Sequence, residues 1–161
     1  MKSGKKINII ISGGTVAFKK QVQSLLFKSS LPIHETALVG SHLRLPKTGI
    51  IRPDAFILIF EAIHKKCMDN LTKFCKKENK AAIIVIAKKI SFTQHQKLLK
   101  AGICDSIETK LLASPLLEKV IFNALRINRL TNELLFSNER YFLVGQATND
   151  MVWDWDLLNN R

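Results

Sequence analysis

Five apolar runs punctuate the first two thirds of the chain: Ile7 to Ser12, Ile33 to Val39, Ala55 to Phe60, Ala81 to Ala87 and, more weakly, Ser106 to Thr109. The central runs are apolar on every residue rather than on alternate ones. Both faces of such strands must be buried, which is the condition of a parallel sheet covered by helices on both sides. Amphipathic segments lie between most of them. Val22, Leu25 and Leu26 make one helical face. Cys67 and Cys75 fall with Ile63, Leu71 and Phe74 on another, and "SFTQHQKLLKAG" has Ser91 as N-cap, Gln94 at the capping-box position and Gly102 at the exit. Right-handed crossovers then predict a doubly wound α/β fold with a five-stranded parallel sheet. Between the second and third strands, Pro46, Gly49 and Pro53 interrupt "SHLRLPKTGIIRPD", so the helix there is expected to be short or absent.

A chain of 161 residues, 47% of them hydrophobic, can hold one full domain plus a tail. No run approaches the ~18 uninterrupted apolar residues of a membrane span, and "MKSGKKIN" lacks the apolar stretch of a secretory signal. The expected location is the cytoplasm. Cys67, Cys75 and Cys104 are odd in number and lack Cys-x-x-Cys spacing, so they are read as thiols, two of them core-facing. Residues 1 to 110 carry 20 Lys and Arg against 7 Asp and Glu, a net of +13, whereas residues 111 to 161 carry 5 against 6, a net of −1. The lysines come in dispersed pairs, Lys19-Lys20, Lys65-Lys66, Lys76-Lys77 and Lys88-Lys89, without interleaved aromatic residues. That pattern favours solvated helix faces over a nucleic-acid or anionic-surface binding domain, which stays as the alternative function.

The last helix starts with Ser114 as N-cap and Pro115 at its first position. It does not stop where a domain helix should. Leu116, Val120, Asn123, Ile127, Leu130, Leu134, Ser137 and Tyr141 alternate spacings of 4 and 3, the seam of a coiled coil with two polar members. The helix is therefore expected to continue as a stalk that dimerises, and only a lone helix folded back on its own domain competes with that reading. After it comes "ERYFLVGQATNDMVWDWDLLNNR", where Met151, Trp153 and Trp155 alternate with Val152, Asp154 and Asp156, a strand entering a turn.

The order of these elements, with "AAIIVIA" as fourth strand, "LLKAGICDSI" leading into the fifth and "SPLLEKVIFNAL" as last helix, resembles the receiver domain of two-component response regulators. "LTNELLFSNERYFLVGQATNDMVWDWDL" resembles the linker and opening of a PAS sensor domain, as in multidomain sensor histidine kinases. The resemblance implies a receiver-like domain over 1–128, a helical linker over 129–140 and the truncated start of a PAS domain over 141–161. It also implies signalling proteins as partners, beside a homodimer through the last helix, and a parent that could be a histidine kinase.

Receiver chemistry needs a carboxylate pair after the first strand and a phosphoacceptor Asp ending the third, with Mg²⁺ held among them. The sequence departs from this at each place. Ser12 and Gly13 stand at the acid pair, Ile59 or Phe60 at the phosphoacceptor, and Glu61 follows without partner acids. The loop rich in Met, Pro and Gly is missing, with Ala62 starting the helix directly. Ile86 replaces the switch hydroxyl and Ser106 the switch aromatic, while Thr109 and Lys110 compete for the family's lysine position. The expectation is a pseudo-receiver whose function is recognition rather than phosphorylation, with no cofactor, no metal and no enzymatic activity.

A rival use of "SGGT", Ser12 to Thr15, is a phosphate cradle, since a helix N-terminus offers N–H groups to anions. The loop resembles that of ATP pyrophosphatases, but Val16-Ala17 stands where Asp-Ser should follow, and no Walker ending is present. "HET" at His34 to Thr36 lies in a strand run without the boxes of a kinase, and His42, His64 and His95 have no ligand spacing.

Overall fold

In the computed structural model of the chain, residues 6–40, 52–78 and 80–147 are described. Five strands, β1 (Ile7–Gly13), β2 (Ile33–Val39), β3 (Ala55–Phe60), β4 (Ala82–Ala87) and β5 (Asp105–Glu108), form one sheet in the order β2-β1-β3-β4-β5. Every pairing is parallel. Helices α1 (Val16–Phe27), α2 (Lys65–Lys77), α3 (Phe92–Lys100) and α4 (Ser114–Ala147) connect and cover it. This is the doubly wound receiver or flavodoxin-like architecture, with an extended C-terminal helix.

Two apolar clusters explain why the central strands carry no polar face. Ile9, Ile11, Ile57, Ile84 and Ile86 point to one side, where Val22 and Leu26 of α1 meet Leu117, Val120, Ile121 and Ala124 of α4. Ile10, Phe56, Leu58, Ile83 and Val85 point to the other, against Leu71, Phe74 and Cys75 of α2 and Leu98 of α3. Phe56 and Phe74 meet edge to face at 5.1 Å between centroids. The lysines of α2, Lys65, Lys66, Lys73, Lys76 and Lys77, occupy its exposed positions.

Several boundaries differ from those expected of the sequence. Helix α2 begins at Lys65, not at Ala62: His64, at φ −94° and ψ 166°, is its N-cap, and in the preceding turn the Ile63 carbonyl accepts from Gln94 Nε2 at 3.1 Å. Ser114 is the first helical residue, and its hydroxyl donates to Leu25 O at 3.3 Å instead of capping its own helix. The α3 capping box forms as expected, with Ser91 and Gln94 bonding reciprocally. Strand β5 ends at Glu108, and Thr109 opens a single 3-10 turn, Thr109–Leu111.

The chain divides into two compact units after Asn128, within α4. In the first unit, Leu116 and Val120 belong to the domain core, Val120 being 7% exposed. These two members of the expected seam are therefore already in use. In the second unit α4 continues to Ala147, beyond residue 140 where the sequence placed the end of the linker. Residues 41–51, where the connection between β2 and β3 was expected to hold a short helix or none, and the strand expected from Met151 onward lie outside the described residues.

Candidate functional site

A doubly wound sheet opens a crevice at the carboxyl ends of its strands, where the strand order reverses. Here the reversal is between β1 and β3, so the crevice lies where Gly13 pairs with Ile59. The same row runs on through Ile86 to Ile107. Four residues that could present chemistry at the crevice are thus a glycine and three isoleucines. Ile59 is 5% exposed and joins the cluster shared by α1 and α4.

The β1–α1 turn closes directly onto Ile59. Gly13 and Gly14 have φ of +83° and +60°, the left-handed region. A Cβ on Gly13 would come within 2.2 Å of the Ile59 carbonyl oxygen, and one on Gly14 within 2.6 Å of the Ile59 side chain. The two glycines are required by this close approach to β3. Thr15 spends its hydroxyl on the Phe18 N–H as the N-cap of α1. The surroundings of "SGGT" are a packed strand-to-helix turn in place of a phosphate cradle.

Ser12 is buried, and its hydroxyl donates to Gly40 O at 3.2 Å. Lys19 lies beside it, 6% exposed, with Nζ donating to Val39 O at 2.7 Å. The sequence placed Lys19, paired with Lys20, on a solvated helix face, and its burial corrects that reading. Its signal was nonetheless present, since Lys19, Val22 and Leu26 form an i, i+3, i+7 stripe and all three are buried. Phe60 packs against the opposite cluster, while Glu61 and His64 are exposed.

Past β4 and β5 the arrangement is polar. Glu108 accepts from the Ile90 N–H at 2.9 Å and pairs with Lys110 at 2.7 Å, so one carboxylate ties the β4–α3 loop to the end of β5. The Ile90 N–H and then Lys110 hold the Glu108 carboxyl below the usual carboxylate range. Lys110 is mostly exposed, and Thr109 follows the strand directly. Ser106, expected from the sequence at the switch-aromatic position, shares a 2.7 Å hydrogen bond with Nδ1 of His95 on α3. Because the folded pKa of Glu108 is depressed, its contribution is present at neutral pH and lost as pH falls through the folded value. Glu108→Gln should loosen the loop, seen as faster amide exchange at Ile90 and Ser91, and should abolish the acid-linked part of that change. Unaltered exchange at both pH values would remove Glu108 as the tie.

The cysteines are free thiols. Burial pushes Cys75 up to about 11 and raises Cys104 as well, so neither is a thiolate at neutral pH. Among the described residues no group of three His, Cys, Asp or Glu side chains is placed to hold a metal ion. The Mg²⁺ of receiver domains does not fit this place: of the oxygen-bearing side chains flanking the row, Ser12 is bonded to Gly40 O, Ser106 to His95, and Glu108 to the Ile90 N–H and Lys110. Also among the described residues, no helix is long and apolar enough to cross a membrane.

No family model and no curated protein matches the chain. Solved structures do. The chain is similar to a response regulator receiver domain from Methanospirillum hungatei, with TM-score 0.61, 17% identity, and coverage of 79% of this chain and 99% of that one. A receiver domain from Clostridium thermocellum gives TM-score 0.59 at 16% identity, covering 78% and 98%. A pilus assembly-related protein from Burkholderia pseudomallei gives 0.60 at 11% identity, covering 78% and 94%. At such identities the likeness is one of fold.

Proposed function

We propose that the chain is a receiver-like signalling module that has lost phosphoryl chemistry and acts by dimerising or docking a partner. Residues 1–128 are its receiver-like domain, 129–140 a helical linker, and 141–161 the start of a PAS domain in a larger sensor-kinase architecture. The observation that carries this reading is the crevice row Gly13-Ile59-Ile86-Ile107, where an apolar side chain packs under the β1–α1 turn at the place phosphotransfer would need carboxylates. With Ser12, Gly13, and Ile59 or Phe60 at the acid positions, there is no nucleophile for the phosphoryl group and no oxygen cage for its metal.

The remaining parts of the fold support recognition. Helix α3 is tied to β5 through His95 and Ser106 and to the β3–α2 turn through Gln94, so its surface is presented in a fixed position. The relay to the following region is assigned to the seam of α4, whose members Ile127, Leu130, Leu134 and Tyr141 are 49, 50, 66 and 76% exposed. Asn123 and Ser137 are its two polar members and would set register at a cost in stability.

The chemical half of this reading is tested with acetyl phosphate and Mg²⁺. The expected result is no acid-labile phosphate on the protein, and the same for Glu61→Gln, since the exposed Glu61 has no partner acids. Stoichiometric acid-labile labelling would overturn it.

A further inference from the structure

Lysines that are dispersed along the sequence come together on one side of the sheet. Helix α2 carries Lys65, Lys66, Lys73, Lys76 and Lys77, and α3 carries Lys97 and Lys100, all of them exposed. Both helices pack on the same apolar cluster, so their outer surfaces make one face. Gln94 of α3 donates to Ile63 O at the entrance of α2, and Lys97, three residues on, shares the flank that Gln94 turns that way. Asp69 is the one acid in the two helices, so seven positive charges stand against one negative, a net of +6. Among the described residues none of the seven lysines forms an ion pair. Charge gathered in this way without counter-charge costs stability through self-repulsion, which an anionic partner removes.

We propose that the α2–α3 face docks peripherally on an anionic phospholipid bilayer. Three features of the face select that partner. Its cations are all lysines, hydrated point charges, and the two helices lack the arginine fork that grips a phosphate or carboxylate through two bonds. Helix α2 exposes no large apolar side chain, so a protein partner would find no anchor to bury at the centre of the lysines. Nor are aromatic residues interleaved with them as a nucleic-acid stacking platform requires. Phe92, 74% exposed, stands with Leu99 at i−3 and i+4 from His95, on the flank that His95 turns to Ser106 of β5. An anionic bilayer needs none of these, because it responds to charge density, each lysine near its surface strengthening binding about 5-fold. Among the described residues no helix is long and apolar enough to cross a membrane, so the contact is one of surfaces. It depends neither on the loss of phosphoryl chemistry nor on the stalk.

Flotation of the full chain with phosphatidylcholine vesicles, with and without phosphatidylserine, tests this. Binding is expected only with phosphatidylserine, and it should disappear when salt rises from about 0.1 to 1 M, which shortens the screening length from about 10 to 3 Å. Lys73→Gln with Lys77→Gln should weaken it about 25-fold, and Lys97→Gln with Lys100→Gln by a similar factor. These are exposed helix positions where Gln matches Lys in helix propensity, so the fold is kept. Lys20→Gln with Lys119→Gln, on the helices of the opposite side, should leave binding unchanged. Equal weakening by that control pair would overturn the proposal. So would equal flotation with phosphatidylcholine alone, which would assign the contact to apolar side chains such as those of distal α4. A chain that ignores both vesicles and retards duplex DNA at the same salt would overturn it in favour of nucleic acid.

Discussion

Gly13→Ala is expected to destabilise the domain more than the same change at Gly14, Gly40, Gly102 or Gly145. The new Cβ would sit in the left-handed region at φ +83° and 2.2 Å from the Ile59 carbonyl oxygen, a backbone atom that can move only with β3. Strain of the backbone and overpacking each cost about 1–3 kcal/mol, so a loss on the order of 2–6 kcal/mol is expected. That is a large share of a typical domain's ~5–15 kcal/mol. Chemical denaturation would read it as a lower midpoint with unchanged slope. Gly14→Ala gives the sharper test of mechanism. Its obstacle is the Ile59 side chain at 2.6 Å, so Ile59→Ala should recover part of the loss at Gly14 and none at Gly13. Equal recovery at both positions would show that the turn does not close on Ile59 in the way described.

The second large effect concerns assembly. Leu130 and Leu134 are 50 and 66% exposed on α4, and a parallel dimer through the seam would bury both from each chain. Burying a leucine contributes about 1.5–3 kcal/mol, twice per dimer. Leu130→Asp or Leu134→Asp should therefore weaken association by about 3–6 kcal/mol, roughly 100-fold to 10⁴-fold. Light scattering at tens of micromolar should give a dimer for the unaltered chain and a monomer for either variant. A monomer mass for the unaltered chain would remove the seam, while leaving the architecture of the sheet domain untouched.

The seam also shows how far periodicity can be trusted. Leu116 and Val120 fit its spacing as well as Leu130 and Leu134 do, yet they pack into the sheet cluster with Leu117, Ile121 and Ala124. Spacing along one helix cannot tell which of two stripes meets the sheet, because both are apolar there. The same ambiguity hid Lys19, which shares its stripe with Val22 and Leu26 and is buried with them. Its charge argued for solvent, and the carbonyl of Val39 that receives it ends β2, 20 residues away in sequence.

The strands, the four described helices and the parallel sheet were legible in the order of residues, since apolar runs without alternation demand burial on two faces and caps such as Ser91 act within a few residues of their own helix. So was the apolar character of the ends of β1 and β3 at Gly13, Ile59 and Phe60, which depends only on which residues stand there. What the tertiary structure alone decided is what fills the crevice and what ties its rim. Register across β1, β3, β4 and β5 brings Gly13, Ile59, Ile86 and Ile107 into one row, and the β1–α1 turn settles onto Ile59. Glu108 meets the Ile90 N–H from 18 residues away in sequence. Contacts of this kind join residues whose distance in sequence carries no periodic signal, so they exist only once the sheet has set the neighbours.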